Sequence, residues 1–521
     1  MGDDSPVPDT PAAGPPEPVG QPGLPEAAPQ PRRRFRLGGR SLREHAARQT
    51  FINTGFMVAL TFLAFVKGFV LAALLTQTDY GVFGITALAV SLIVALRQVG
   101  VADKFVQQDE DDQELAFQRA FTLEAIVSGI TAVLIVAALP VLVILYDESR
   151  IMLPGLVLAA NLVAGVLQMP LWVYYRRLEY SRVRMLQAID PIVAFVVSVG
   201  LAAAGAGYWA LFAGLAAGTW ATALAAVAMS PYRLRFRFDR DTLRTYWRFS
   251  GPLLLANLGG PIIAQAAIFA TDAHLGIAAV GALTLAATVS QFTDRVDYLV
   301  TGSLYPAICA VKDRTDVLFE SFVKTNRLAL MWAVPFGLGL SLFSADLIDF
   351  AIGEQWESAL PLFQTFGVVA AVGHIAFNWD AYFRARGETG PMAVAAVAAA
   401  ATFIAVGLPL LFTWGLEGIA VGTAAQMLVH VALRAYYLRR LFDGFAFLRH
   451  ALRAFVPSLP AVGVILALRV VEDGERTATL AAGELALYCG VTVAMTWFLE
   501  GRLVREAVGY VRARPVAGST A

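Results

Sequence analysis

Apolar positions in this chain do not alternate, and they rarely keep to one helical stripe. They run on. Continuous apolar stretches fall at 49–75, 79–100, 115–145, 150–172, 184–204, 207–230, 245–271, 275–305, 322–350, 357–380, 391–412, 415–440, 450–470 and 478–500. Most approach or exceed the ~20 residues a helix needs to cross a hydrocarbon core. Short polar or glycine-containing breaks separate them. The pattern predicts an all-α polytopic membrane protein with about 14 transmembrane helices.

Composition agrees. Of 521 residues, 57% are hydrophobic and 15% are charged, with a mean hydropathy of +0.62; an ordinary soluble domain carries roughly 25% charge. Forty basic residues balance forty acidic ones, which excludes a nucleic-acid binder. Two cysteines, Cys309 and Cys489, make neither a disulfide framework nor a zinc spacing and are read as apolar fillers. No metal site is expected: His374, Asn378 and Asp380 lack a third strong ligand and are read as helix-packing groups.

Charge then orients the helices. The loops that follow even-numbered helices are basic. Arg176, Arg177, Arg182 and Arg184 lie in one, and Arg233, Arg235, Arg237, Arg240, Arg244 and Arg248 in the next. Lys312, Arg314, Lys324 and Arg327 follow, then Arg384 and Arg386, then Arg434, Arg439, Arg440, Arg449 and Arg453. The opposite loops hold Arg150, Arg469 and Arg476. The positive-inside rule places both termini in the cytoplasm; the expected location is the inner (plasma) membrane. Residues 1–31 hold ten of the 25 prolines and no Lys or Arg, and Arg32, Arg33, Arg34 and Arg36 follow. This tail reads as disordered, with a basic cytoplasmic anchor in preference to an export signal. Tyr208, Trp209, Trp356 and Trp414 fall at outer helix ends, where an aromatic belt is expected.

An internal repeat is visible. Leu75-Thr-Gln-Thr-Asp-Tyr-Gly81 joins the first two helices and Leu275-Gly-Ile-Ala-Ala-Val-Gly281 joins the seventh and eighth, at an offset of 200. Leu153-Pro154 and Leu360-Pro361 make a second pair at an offset of 207. Two six-helix lobes of like orientation follow, related by an axis along the membrane normal. The expected units are a cytoplasmic tail (1–48), a first lobe (49–230), a basic linker (231–248), a second lobe (249–441), helices 13 and 14 (449–502) and a C-terminal tail (503–521).

These residues also resemble a known family. Leu71-Ala-Ala-Leu-Leu-Thr-Gln-Thr-Asp-Tyr-Gly-Val-Phe-Gly84 is similar to the signature of polysaccharide flippases, the Wzx-like members of the MATE/MOP exporter superfamily. Val99 to Gln107, Gly205-Ala-Gly-Tyr-Trp-Ala-Leu211, Leu304-Tyr-Pro306 and Ile352-Gly-Glu-Gln-Trp-Glu-Ser-Ala359 resemble further segments of it in order and spacing. The resemblance implies a MATE-like fold around a central cavity. It also implies an undecaprenyl-diphosphate-linked oligosaccharide moved from inner to outer leaflet for surface polysaccharide synthesis, such as lipopolysaccharide O-antigen or exopolysaccharide.

Ionisable groups inside a bilayer cost ~2.5–3.5 kcal/mol each on insertion scales, which marks them as functional candidates. Lys67 lies ~24 Å along helix one at 1.5 Å per residue. It reads either as snorkelling to the outer interface or as a cavity cation that receives a diphosphate. Arg295, beside Asp294 and Asp297, either pairs internally or faces the cavity with an acid as its tunable partner. A proton or sodium ion on that acid would couple an ion gradient to release; no other cofactor is expected. Arg97 reads as a snorkelling residue or a cation of the inner cavity mouth, Glu124 as a partner for one of the cations, and Asp190-Pro191 as a helix start. Gly251, Pro252, Gly260 and Pro261 mark helix seven as a gate, or as a close-packing face of small residues.

The leading function is therefore a lipid-linked oligosaccharide flippase working by alternating access around a cationic cavity. Its partners are the glycolipid and membrane lipids, with a place in a polysaccharide assembly complex as an addition. The alternative is a MATE-type ion-coupled small-molecule exporter. A membrane-embedded polymerase or ligase is disfavoured, because the longest outer connection, Arg469 to Thr477, offers only Glu472, Asp473 and Glu475. The chain is not read as an enzyme.

Overall fold

The computed structural model describes residues 42–95, 101, 105, 110–177, 179–240, 259–294, 308, 314–386, 388, 390–472 and 474–512. Among the described residues the fold is all-helical. The principal helices are α1 (Leu42–Leu74), α2 (Gln77–Ala95), α3 (Gln113–Tyr146), α4 (Met152–Leu167), α5 (Tyr180–Ala203), α6 (Trp209–Ala228) and α7 (Gly259–Leu275). They continue as α8 (Ile277–Ser290), α9 (Thr315–Leu342), α10 (Leu360–Gly373), α11 (Gly390–Thr402), α12 (Leu416–Leu441), α13 (Leu459–Val471) and α14 (Ala478–Arg512). Each predicted apolar run overlaps one of them. Among the described residues eight helices are long and apolar enough to cross a membrane, and ten if each of two bent pairs counts as one span. The segments Ala59–Leu74 and Ile277–Ser290 are shorter apolar helices.

The two halves pack alike. In the first, α3 packs on α4, α4 on α6 and α5 on α6; in the second, α9 packs on α10, α10 on α12 and α11 on α12. The halves meet chiefly through α2 and α8, the second helix of each. Large apolar residues such as Ile130, Val133 and Ile144 on α3, and Val397 on α11, stay exposed on the surface. In a membrane protein that is the lipid-facing surface.

Every connection from an odd to an even helix gathers at one end of the molecule. The Asp79 carboxylate, in the α1–α2 turn, accepts from the Thr76 backbone N–H (3.0 Å) and from Tyr208 N, in the α5–α6 turn (2.8 Å). Gln77 donates to Ser358 Oγ, between α9 and α10, at 2.8 Å. This end is the α1–α2 face. Its three arginines are each neutralised. Arg150 pairs with Glu148 at 2.6 Å, and that guanidinium holds the Glu148 carboxyl below the usual range. Arg469 reaches Asp346 Oδ2 (2.7 Å) and Glu484 (3.1 Å); Arg476 pairs with Asp346, with Glu484 at 2.7 Å and with Glu472 at 3.2 Å. This network of two cations and three acids clips the α13–α14 hairpin to the end of α9.

Two expectations about helix starts change. Asp190 and Pro191 lie inside α5, not at its start. A proline inside a spanning helix is tolerated where neighbouring groups satisfy the freed backbone carbonyl. α1 begins at Leu42, inside the stretch expected to be tail (1–48). Segment 42–48 holds Arg and Glu but no Pro or Gly, so nothing in it stops a helix.

Candidate functional site at the lobe seam

The motif Leu71–Gly84 builds one side of the seam. Leu75 is buried, Asp79 caps the turn, and the Tyr80 ring stands edge-on to Trp356 with centroids 5.2 Å apart. Gly81 and Gly84 then let α8 approach. A Cβ at Gly81 would collide with the Ile277 carbonyl, and one at Gly281 would collide with the Gln77 carbonyl. Position 81 thus meets 277 while 281 meets 77, and Gly84 meets Thr284. Residues 200 apart exchange partners, as they must when a two-fold axis of an internal repeat runs between α2 and α8. The sequence offset of 200 is thereby a structural one.

The motif Ile352–Ala359 closes on the first from the other lobe. Gly353 turns the chain at φ +101°, a conformation that favours glycine. Trp356 Nε1 then donates to Ala72 O at 2.8 Å, and Gln355 Nε2 to Leu75 O at 3.1 Å. Both acceptors are at the C-terminal end of α1, where helix carbonyls lack intrahelical partners. Trp356 is fully buried, so it is an inter-lobe pin and not part of an aromatic belt. A donating indole was the available signal; its distant partner left no trace in sequence. Gln265 of α7 reaching Tyr146 of α3 adds a further pin at this face. The Gly205–Leu211 segment joins through the Tyr208–Asp79 bond. Leu71–Gly84, Gly205–Leu211 and Ile352–Ala359 therefore converge on one closed seam at the α1–α2 face, whereas Val101 and Phe105 of the Val99–Gln107 segment pack elsewhere, with Phe117 and Val173.

Deeper in, Phe65 of α1 stacks edge-on against Phe292, just beyond α8, and Phe336 of α9, at 5.1 and 6.0 Å. Lys67 is two residues further on and so about 200° around the helix. It is half-buried, and its nearest acidic influence is Asp190 of α5, which packs along α1. Asp190 also lies over Gly218 of α6. An acid thus stands beside Lys67 inside the first lobe, a partner missed by reading Asp190 as a cap. Glu124 is half-buried on α3.

In the second lobe, Asp294 is mostly exposed, and its Oδ1 lies 3.5 Å from His374 Nε2. His374 sits where α10 breaks. Residues 374–378 leave the helix, with Ala376 at φ +59°. Arg434 of α12 donates to the freed Gly373 O (2.5 Å), and Asn326 of α9 donates to His374 O and accepts from Ala376 N at 3.1 Å. Asn378 donates to Thr325 at 2.7 Å, and His374 Nδ1 lies 2.7 Å from Ala370 O. Gly260 and Pro261 lie in the first turn of α7 as described. Arg97, Arg295, Asp297, Gly251, Pro252 and Leu304–Pro306 lie outside the described residues.

Comparison with known proteins follows this geometry. The profile of a family described as polysaccharide biosynthesis protein matches residues 70–361. The lipopolysaccharide biosynthesis protein WzxC of Escherichia coli (strain K12) is 21% identical over 432 residues, spanning 79% of this chain and 85% of its own. Among solved structures, the lipid II flippase MurJ in an inward closed conformation superposes with a TM-score of 0.64 at 11% identity, covering 86% of this chain and 99% of its own. An inward-facing multidrug resistance MATE family transporter of the MOP superfamily gives 0.62 at 14% identity, covering 73% and 94%. The two structures share the all-helical fold seen here.

Proposed function

The chain belongs to the polysaccharide biosynthesis protein family, and from that premise we propose that it translocates a polyprenyl-diphosphate-linked oligosaccharide across the inner membrane by rocking of its two lobes. The observation that carries this reading is the seam itself. Two like-oriented halves are joined at one face through a glycine crossing and a few hydrogen bonds. Bonds of this number are few enough to exchange for an alternative closure at the opposite face. Helix halves pack as bistable bodies, so small shifts at a seam become rigid-body rotations.

The basic loops make the opposite face cytoplasmic, and the α1–α2 face then looks outward. In this reading Lys67, Arg97 and Arg295 receive the diphosphate, and Lys67 crosses the bilayer beside Asp190 as a compensated charge until a phosphate replaces that partner. Asp294, beside His374, and Asp297 provide acids on which a proton or sodium ion would bias the second lobe. Gly251 and Pro252, which precede α7 in the sequence, and Gly260 and Pro261 in its first turn act as the gate. The polyprenyl tail stays in lipid and the sugars cross in water, in a complex with other assembly proteins where these are present.

The test is translocation in proteoliposomes holding the purified chain and a fluorescent polyprenyl-diphosphate oligosaccharide. Time-dependent protection of the sugar from an external glycosidase is expected. Absence of movement, with export of an organic cation by the same vesicles, would replace this reading by a MATE-type exporter.

A further inference from the structure

We propose that the α1–α2 face carries a saccharide-binding mouth at the lobe junction, which holds a neutral or amine-bearing sugar ring and is complete only while the seam is closed. The choice of a sugar rests on the glycan substrate proposed above. The mouth is a cavity of about 660 Å³, lined by Gln77, Leu275, Glu357, Ser358, Trp414 and Glu417 among others. Small-molecule sites occupy ~300–1,000 Å³.

Its chemistry is unusual for a membrane-protein surface. Trp414 is 58% exposed and makes no ring contact among the described residues. Gly415, at φ +61°, ends its helix and starts α12, which places the indole and Glu417 on the same rim. Neither the Glu357 nor the Glu417 carboxylate has a hydrogen bond or ion pair among the described residues, while the arginines of this face are already paired. Both amide hydrogens of Gln77 are committed, to Gln355 O and to Ser358 Oγ, so its Oε1 remains as an acceptor. The mouth is thus a flat aromatic wall beside acceptors and two uncompensated carboxylates. A sugar ring matches this: its C–H face lies on the indole, and its hydroxyl edge donates to carboxylates in charge-assisted bonds. The same carboxylates repel uronates and attract amino sugars.

Gln77 comes from the first lobe and the other five residues from the second. Parting the lobes removes one wall. Sugar bound here therefore favours the closed seam, and a glycan delivered to this face is held only until the next opening.

The full-length protein in lipid nanodiscs is titrated by saturation-transfer NMR with chitotriose, its de-acetylated amine form and a hyaluronan tetrasaccharide, and by isothermal titration calorimetry with Ca²⁺ alone. Saturable binding of the two trisaccharides is expected, with Kd on the order of 1 mM. The uronate sugar should bind about tenfold or more weakly. Trp414→Ala and the pair Glu357→Gln with Glu417→Gln should each weaken trisaccharide binding about tenfold, with thermal melts near wild type, and Trp414→Tyr should restore most of it. No saturable signal from either trisaccharide, equal signals in wild type and the Trp414→Ala and double variants, or binding of Ca²⁺ alone would each overturn the assignment. Translocation measured on the same preparation separates the two readings. Translocation without trisaccharide binding rejects the mouth alone; trisaccharide binding without translocation rejects the flippase reading.

Discussion

Replacing Gly281 by alanine tests the seam at its tightest point. The added Cβ would stand 2.7 Å from the Gln77 carbonyl carbon and 3.0 Å from Gly81 N. Carbon atoms in contact prefer ~3.5–4.0 Å, and the Gln77 carbonyl oxygen stands closer still, so α2 and α8 must part by at least about 1 Å. Both obstacles are backbone, so no side chain can swing aside. A shift of that size takes the 2.8 Å bonds of Gln77 to Ser358 and of Trp356 to Ala72 past hydrogen-bonding distance. Overpacking of this kind costs ~1–3 kcal/mol, which lowers the ratio of closed to open seam by roughly 5- to 150-fold. The assay uses a chain with Cys309 and Cys489 replaced by serine and one new thiol at Thr284→Cys, which is buried at the crossing. A membrane-impermeant maleimide added at the α1–α2 face should label it faster by that factor in the Gly281→Ala background. Because positions 81 and 281 exchange partners, Gly81→Ala should act alike, and Gly68→Ala, which meets nothing within 4 Å, should not. Equal labelling rates in wild type and Gly281→Ala would refute the reasoning.

Trp356→Phe keeps the edge contact with Tyr80 but leaves the Ala72 carbonyl only its longer bond from Gln355 Nε2 (3.3 Å), and should destabilise the closed seam by ~0.5–1.5 kcal/mol, read as a lower melting temperature. Asp346→Ala leaves Arg469 and Arg476 to Glu484 and Glu472 but removes the carboxylate, 7% exposed, that ties them to the end of α9; losing hydrogen bonds to a charged group costs ~1.5–3 kcal/mol, and proteolysis at the α13–α14 hairpin should report its release. Lys67→Ala and Arg295→Ala should each abolish polymer export at unchanged protein level; full export by both would remove the cationic cavity from the mechanism. Arg295→Lys separates charge, which it keeps, from a bidentate grip, which it loses.

Much of this fold is legible in the sequence because the bilayer imposes it. Length and hydropathy mark the helices, and turn composition marks the two faces. The repeat shows through Gly81 and Gly281, since only glycine fits where two backbones meet. What stays hidden is set by partners far along the chain. Trp356 reads as an interfacial ring until Ala72, 284 residues away, supplies a carbonyl. Asp190 beside a proline reads as a cap, although α5 runs through both. The break after Gly373 has no proline within it, and the non-glycine Ala376 takes the left-handed turn. It is held by Arg434 and Asn326, which no local pattern connects to it. The Asp294–His374 approach likewise depends on that break.

The central claim is that the seam must open for glycan to leave. Gln77 and Ser358 sit across it, 2.8 Å apart at their side-chain tips. Cysteines at these two positions, in the chain free of its own thiols, would be joined by a short reducible bis-methanethiosulfonate and the protein assayed for translocation in proteoliposomes. The account predicts that translocation stops on cross-linking and returns on reduction. Translocation by the cross-linked protein at the uncross-linked rate would contradict it.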